Sequence, residues 1–269
     1  MPRSGRFESI GIIERWSADL FQFVPRPGFF LACDIDMSRS REIIRDAHMR
    51  QVRITYGNLL VRAVGLALHR MGDLHCMMES SRRYIPATVD AAVPVGGTGN
   101  RFLPASMLLR DIGRTRLGDI SSEMAQQAAS LRAAEPEHFK RLRRAAPLLN
   151  WEWIRSVLVR RFLRSAEWRH KNMGTVHISF LKDVDFFAPL TPFVGIGIGA
   201  GRVRDVAVIE NGEVCVRPVM TISCCGDHAV WDGLTASRFV NDVRRILAEG
   251  ELESELDEAA KGAAVAAVV

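Results

Sequence analysis

The sequence predicts an α/β fold of the α+β two-layer sandwich kind: a mixed central sheet covered by helices. Three observations point there. Apolar runs of strand length alternate with helical patterns along the chain. Asn211-Gly212 stands between two apolar runs, a strong hairpin signal, so some neighbouring strands are antiparallel. The helical pattern after Thr55 is apolar on most sides, as suits a helix packed deep in a core.

Taken in order, residues 8–20 read as a short amphipathic helix, bounded by Pro25 and Pro27. Gly28 to Asp36 reads as a strand and Ser38 to Gln51 as a charged helix. Thr55 caps the apolar helix Asn58 to Met71, closed by Gly72. Strands are expected near Tyr84 to Pro86 and Ala91 to Val95. Gly96 to Asn100 is expected to turn, and Phe102 to Leu109 to return. A helix follows over Leu117 to Arg132. Five short strands come next, at Thr175 to Phe180, Phe193 to Ile198, Val203 to Ile209, Val214 to Val216 and Val219 to Cys225. The last helix runs from Leu234 to Ala248. No repeat and no Pro/Ser-rich linker interrupts this, so residues 1–250 read as a single domain. Residues 251–269 read as a flexible tail, or one packed on a neighbouring subunit.

Composition bounds the function. The 269 residues suffice for a large core, and 48% hydrophobic with 25% charged residues is ordinary for a soluble globular protein. No apolar stretch is long enough for a transmembrane segment, and the N-terminus has no apolar signal core. Five cysteines, odd in number and without C-x-x-C spacing, fit a reducing, cytoplasmic setting. The net charge of +5 suits anionic ligands but falls short of a nucleic-acid signature, so no nucleic-acid partner is expected.

The most informative motif is His228-Ala229-Val230-Trp231-Asp232-Gly233, of the form H-x-x-x-D-G. It lies where the strand Val219–Cys225 hands over to the last helix. Histidine is the side chain best suited to move a proton near neutral pH. A lone histidine at a strand end is more often structural, so the hexapeptide needs its context. Cys224 and Cys225 beside His228 invite a zinc reading. Adjacent strand residues point to opposite faces, however, so both thiolates cannot easily meet one ion, and no metal is expected.

Two glycine runs resemble nucleotide loops. Gly195 to Gly201 is followed by a strand pattern where a dinucleotide fingerprint would open a helix. Gly96 to Gly99 lacks the Gly-Lys-Ser/Thr ending of a phosphate loop. Residues 139–170 form a basic, Trp-rich helical insert in which arginines alternate with apolar residues. Trp151, Ile154, Leu158 and Phe162 share one helical face, with Asn150 as a possible N-cap. This reads as a packing helix with a solvated arginine face. The alternative is a surface that shapes an apolar tunnel or touches a membrane or partner.

Residues 28–248 resemble the catalytic domain of the 2-oxo acid dehydrogenase dihydrolipoamide acyltransferases and, more distantly, chloramphenicol acetyltransferase. The resemblance rests on motifs in that family's order. They are the strand Gly28 to Asp36, the helix Thr55 to Leu68, the strand Val89 to Val95, the segment Gly174 to Ser179, and the hairpin Asn211 to Met220 followed by Asp227 to Gly233. It implies a chloramphenicol acetyltransferase-like fold and a homotrimer, or a higher assembly of trimers, with active sites between subunits. It implies a coenzyme A-dependent acyltransferase that moves an acyl group between a CoA thioester and a thiol, hydroxyl or amine acceptor. His228 is then the general base, Ser179 the oxyanion donor, and Asp232 the residue that fixes the turn. Such chemistry needs one base and one oxyanion donor and no metal.

The sequence departs from the family at several points. Phe180 follows Ser179 where the family has Asn, Ala229 follows His228 where the dehydrogenase enzymes have Arg, and the loop from Ser179 to Phe193 is shorter than usual. Lipoyl-bearing and subunit-binding domains are not seen. These features favour a free-standing acyltransferase with a different, more apolar acyl group. Two other readings stand beside it: a lipoyl-domain-free core subunit of a 2-oxo acid dehydrogenase complex, and a non-catalytic trimeric scaffold.

Overall fold

The computed structural model describes residues 11–13, 15–16, 28–79, 82–100, 103–189 and 194–256. The expected helix over 8–20 lies mostly outside them. Strand β1 (Gly28–Asp36) leads into helices α1 (Ser38–Met49) and α2 (Tyr56–Arg70). The short strands β2 (Met77–Glu79) and β3 (Arg82–Tyr84) precede the pair β4 (Ala91–Asn100) and β5 (Leu103–Leu109). Helices α3 (Leu117–Ala133), α4 (Glu137–Arg144), α5 (Ala146–Leu149), α6 (Glu152–Arg164) and α7 (Ala166–Met173) follow. The chain then returns to the sheet through β6 (Val176–Phe180), β7 (Ile196–Glu210) and β8 (Glu213–Asp227), and closes with α8 (Gly233–Ala248).

Among the described residues one six-stranded sheet has the order β1-β8-β7-β6-β4-β5, and β2 and β3 form a separate pair. β6 runs parallel to β4 and β7, and the other pairings are antiparallel. The mixed sheet with covering helices is therefore as the sequence predicts.

Where strands were expected to break, they run on. The strands expected at Phe193–Ile198 and Val203–Ile209 are, from Ile196 on, one strand, β7, with an irregularity between Ala200 and Val203, and Phe193 lies outside the described residues. The segments 214–216 and 219–225 are likewise one strand, β8. The expected turn at Gly96 to Asn100 lies inside β4, where the register shifts between Pro94 and Gly99. A period-two pattern reads a register irregularity as an end, because both interrupt the alternation. The hairpin itself is as expected: Asn211 and Gly212 take φ of 50° and 84°.

Helix α2 is set by its N-terminus. Thr55 accepts from the Asn58 backbone N–H, and the Asn58 side chain accepts from the Thr55 N–H in return. Its apolar residues Leu59, Leu60, Val64 and Leu68 join Phe239, Val243 and Ile246 of α8 over the sheet. Arg62 in this helix is buried yet fully partnered. It donates to the carbonyls of Ile112 and Gly113 and forms a 2.7 Å ion pair with Glu255. The supposed tail thus contributes to the core: Leu252 and Leu256 are buried, and the Glu255 carboxylate also accepts from the Leu117 N–H. The boundary at 250 falls within packed structure, because the apolar spacing of 252 and 256 is too short a pattern to stand out.

The two faces of the sheet differ. Ile178, Ile198 and Cys224 occupy one row on the helical side. Gly195, Gly199 and Gly201, spaced by even numbers, line the other side. There a Cβ on Gly199 would overlap the carbonyl oxygen of Phe187, and one on Gly201 that of Asp185. The loop 181–189 lies directly on this glycine lane, with the Ser223 hydroxyl donating to Phe187 O at 2.6 Å. The glycine-rich run is thus a strand shaped for close backbone approach.

β7 and β8 also outrun their neighbours. β6 pairs only with Ile196–Ala200 and β1 only with Val219–Asp227, so the distal half is a two-stranded ribbon. Its apolar side chains Ile209, Val214 and Val216 are 77%, 73% and 67% exposed.

Gly199→Val is expected to destabilise the protein by about 1–3 kcal/mol through overpacking. Gly96→Ala, where a Cβ meets open space, should shift the urea midpoint little. Equal midpoints for the two variants would contradict the close packing.

Candidate functional site

β8 carries His228 to the end of the sheet, and the turn that follows is held by separate anchors. The Asp227 side chain accepts from the Ala229 N–H at 2.9 Å, and its N–H donates to Gly195 O at 3.1 Å. Trp231 is buried, donates its indole N–H to Leu74 O at 2.6 Å, stacks on Phe29 and packs at a tilt against Phe239. Asp232 is the N-cap of α8, its carboxylate accepting from the Thr235 N–H at 2.7 Å. That bond holds the Asp232 carboxyl below its ordinary pKa.

The His228 ring, in contrast, is exposed and meets the Phe29 ring edge-on, with centroids 6.5 Å apart. No hydrogen bond from the described residues reaches it. The motif thus presents an open imidazole on a rigid turn. Asp232 shapes that turn through the helix; among the described residues no hydrogen bond joins its carboxylate to the ring, although the nearby imidazole also helps to lower the Asp232 pKa. Sequence reasoning missed Trp231 as the main anchor, although an indole inside an otherwise exposed motif was the available signal.

Ser179 lies elsewhere. It pairs with Gly199, which pairs with Ser223, so Ser179 and Ser223 share a row two strands apart on the glycine-lane face. His228 follows that row by five residues. With a rise of about 3.3 Å per residue and about 4.8 Å between strands, the Cα atoms of Ser179 and His228 stand roughly 19 Å apart. Within one chain the fold brings His228 and Asp232 together and leaves Ser179 near the far end of β6. Phe180 turns inward and packs against the core.

Cys224 and Cys225 do face opposite sides. Cys224 sits in the helical core, and the Cys225 thiol donates to Pro189 O. Burial raises both thiols, Cys225 to about 11. Among the described residues no group of three or more His, Cys, Asp or Glu side chains is placed to hold a metal ion.

A buried polar cluster occupies the His228 end of the sheet. Asp90 accepts from Arg110 at 2.6 Å, from the Asp111 N–H at 3.0 Å and from His170 Nε2 at 3.1 Å, while Tyr84 meets His170 Nδ1 at 2.9 Å. Burial would raise the Asp90 carboxyl, but these donors outweigh it and hold it well below the usual range. The cluster ties α7 to β4. Between it and the turn runs the segment Leu74–Cys76, where His75 is buried with Nε2 unpartnered. Burial pushes His75 down to about 4, and His177 likewise.

Residues 139–170 fold as part of α4 to α7. The N-cap of α6 is Trp151, without a side-chain cap bond, and Asn150 stands one residue before it. The buried positions of α6 are Arg155 and Val159. Trp151 and Trp153 are exposed, so the predicted apolar face holds for Ile154, Leu158 and Phe162 but not for Trp151.

With this geometry in hand, the known proteins it resembles can be set beside it. The family described as 2-oxoacid dehydrogenases acyltransferase (catalytic domain) matches residues 179–253. The acetyltransferase component of the Bacillus subtilis pyruvate dehydrogenase complex is 35% identical over 69 residues, which cover 25% of this chain and 15% of that protein. The match therefore spans a small part of that curated relative. By structure, Azotobacter vinelandii dihydrolipoamide acetyltransferase aligns with TM-score 0.68 at 16% identity, over 93% of this chain and 94% of its own. Chloramphenicol acetyltransferase aligns with TM-score 0.54 at 14% identity, over 88% and 98%.

Because unfolded histidine protonates near pH 6.5 and His75, which is buried, and His177, which is partly buried, only near 4, acid favours the unfolded chain in that window. Stability should be flat from pH 8 to 7. It should then fall between 6.5 and 4, by up to roughly 3 kcal/mol for His75 alone. Urea melts of His75→Asn should show a shallower fall; an unchanged profile would remove His75 as a cause.

Residues 179–253, which hold both Ser179 and the His228 turn, carry the catalytic-domain pattern of the 2-oxoacid dehydrogenase acyltransferases, on a chain whose fold is that of dihydrolipoamide acetyltransferase and chloramphenicol acetyltransferase.

Proposed function

We propose that the protein is a coenzyme A-dependent acyltransferase whose site forms between two copies of the chain. The observation that carries this reading is the His228 turn: an open, unbonded imidazole on a rigidly anchored loop, within the segment that matches the acyltransferase family. In the A. vinelandii enzyme a serine, a histidine and an asparagine four residues after it have been studied for their catalytic roles. Ser179, His228 and Asp232 are the residues of the same pattern here.

The chemistry follows from the two groups. A ring nitrogen of His228 takes the proton of an acceptor thiol, hydroxyl or amine as that atom attacks the thioester carbonyl. The oxyanion of the tetrahedral intermediate accepts from the Ser179 hydroxyl of a neighbouring copy. Collapse breaks the carbon–sulfur bond, and the departing CoA thiolate receives the proton back from His228. A separation of roughly 19 Å within one chain prevents its own Ser179 from serving its own His228, since both must lie near one reacting atom.

The β7–β8 ribbon supports assembly. A two-stranded ribbon with an apolar face is marginal alone and is stabilised by covering that face. A homotrimer meets both needs. A dihydrolipoamide acceptor is the second reading, favoured by the B. subtilis relative being a pyruvate dehydrogenase component. Transfer from acetyl-CoA to dihydrolipoamide, compared with other thiols, alcohols and amines, decides between them.

His228→Ala should lower acyl transfer by about 10²–10⁴-fold, and Ser179→Ala by about 10²–10³-fold. The decisive measurement mixes the two inactive variants after co-refolding. Shared sites restore activity at about a quarter of the sites, because one interface in four then pairs a good His228 with a good Ser179. No recovery would sink the shared site, and full activity of His228→Ala would sink the base. Val214→Arg with Val216→Arg should shift the protein to a smaller species in sedimentation equilibrium; an unchanged mass would exclude the ribbon from assembly.

A further inference from the structure

The segment from Glu137 to Met173 holds ten Lys/Arg against three Asp/Glu, a net charge of +7, while the whole chain carries +5. The rest of the molecule is therefore mildly acidic, and the positive charge is concentrated on α4 to α7. On the same segment Leu148, Trp151, Trp153 and Val157 are 58%, 62%, 63% and 59% exposed. Trp153 and Val157 are four residues apart on α6, and Arg161 and Arg164 continue that face toward its C-terminus. Neither arginine has an acidic partner among the described residues. The buried side of the helix, Arg155 and Val159, is already packed.

We propose that this face docks on an anionic lipid surface, with the indoles and aliphatic side chains entering the interface and the arginines reaching the headgroups. Exposed tryptophan beside a basic helical face is the pattern of helices that lie in the plane of a membrane, where indole sits at headgroup level and arginine stems lie along apolar surface. A second copy of the chain is a poorer occupant, since a symmetric contact would bring two segments of charge +7 together. No helix among the described residues is long and apolar enough to cross a membrane, so the contact is peripheral.

The test is co-sedimentation of the full chain with phosphatidylglycerol-containing vesicles and with pure phosphatidylcholine vesicles, at low and high salt. The expected result is binding to the anionic vesicles alone, released by salt, with a blue shift in tryptophan emission. Trp151→Ser with Trp153→Ser should weaken binding at least about tenfold, and Arg161→Gln with Arg164→Gln should weaken it and flatten its salt dependence. All four side chains are exposed, and circular dichroism checks that the variants fold. Failure of the wild type to bind, binding unchanged in the tryptophan variant, or a fall in oligomer mass on removing the indoles would each overturn the proposal. None of these readouts depends on acyl transfer, so the outcome is independent of the proposed activity.

Discussion

The register of β8 between β1 and β7 is the constraint on which the rest of the structure depends. It sets Asp227 opposite Gly28 at the sheet end and Ser223 opposite Gly199 in the same row as Ser179. Because side chains alternate along a strand, a slip of one residue would send Cys224 and Ile222 to the glycine lane and Ser223 into the helical core. Several features make that slip costly. The lane has no room for larger side chains, and Ser223 has a specific acceptor in the loop it faces. The same register that buries the core therefore places His228 at one end of the sheet and Ser179 toward the other.

Much of this was legible in the sequence where the cause is local. The Thr55 cap and the Asn211-Gly212 turn each depend on residues within four of one another, and each was read correctly. What stayed hidden depends on pairing across the chain. The unbroken lengths of β7 and β8 are set by their partners, not by their own alternation. The lane of glycines is intelligible only once the loop 181–189 is seen lying on it. Glu255 reads as part of a charged tail until Arg62, 193 residues away, is found buried beside it. The separation of Ser179 from His228 likewise depends on strand order. The motifs named both residues and the resemblance implied a site between subunits, but only the strand order gives the distance that keeps the two apart in one chain.

Two buried charges in this protein, Arg62 and Asp90, are well partnered. Arg62 has Glu255 and two carbonyls, and Asp90 has a guanidinium, an imidazole and a backbone N–H. Removing one partner of such a set leaves an uncompensated charge, which costs more than the pairing gains. Both sets join distant parts of the chain, one fixing the C-terminal residues to α2, the other fixing α7 to the sheet. The basic surface of α6 is different in kind, since water pays no such penalty there and the charge is open to a ligand.

The His228 turn shows how a rigid frame can present a reactive group without gripping it. In many catalytic histidines a carboxylate orients the ring, yet here Asp232 is already committed to the α8 cap, and its low pKa follows from that backbone bond. Asp227 accepts from Ala229 and is no freer. What fixes the backbone at 228 is therefore the neighbouring structure: Trp231 locked in the core by Leu74, Phe29 and Phe239, and the first turn of α8. The ring itself keeps both nitrogens open on the surface of the single chain. A base in that state has its position set by one copy and its orientation left to whatever packs against it. A second copy, bringing Ser179 within reach of the same acyl carbon, would supply both the missing donor and the missing wall.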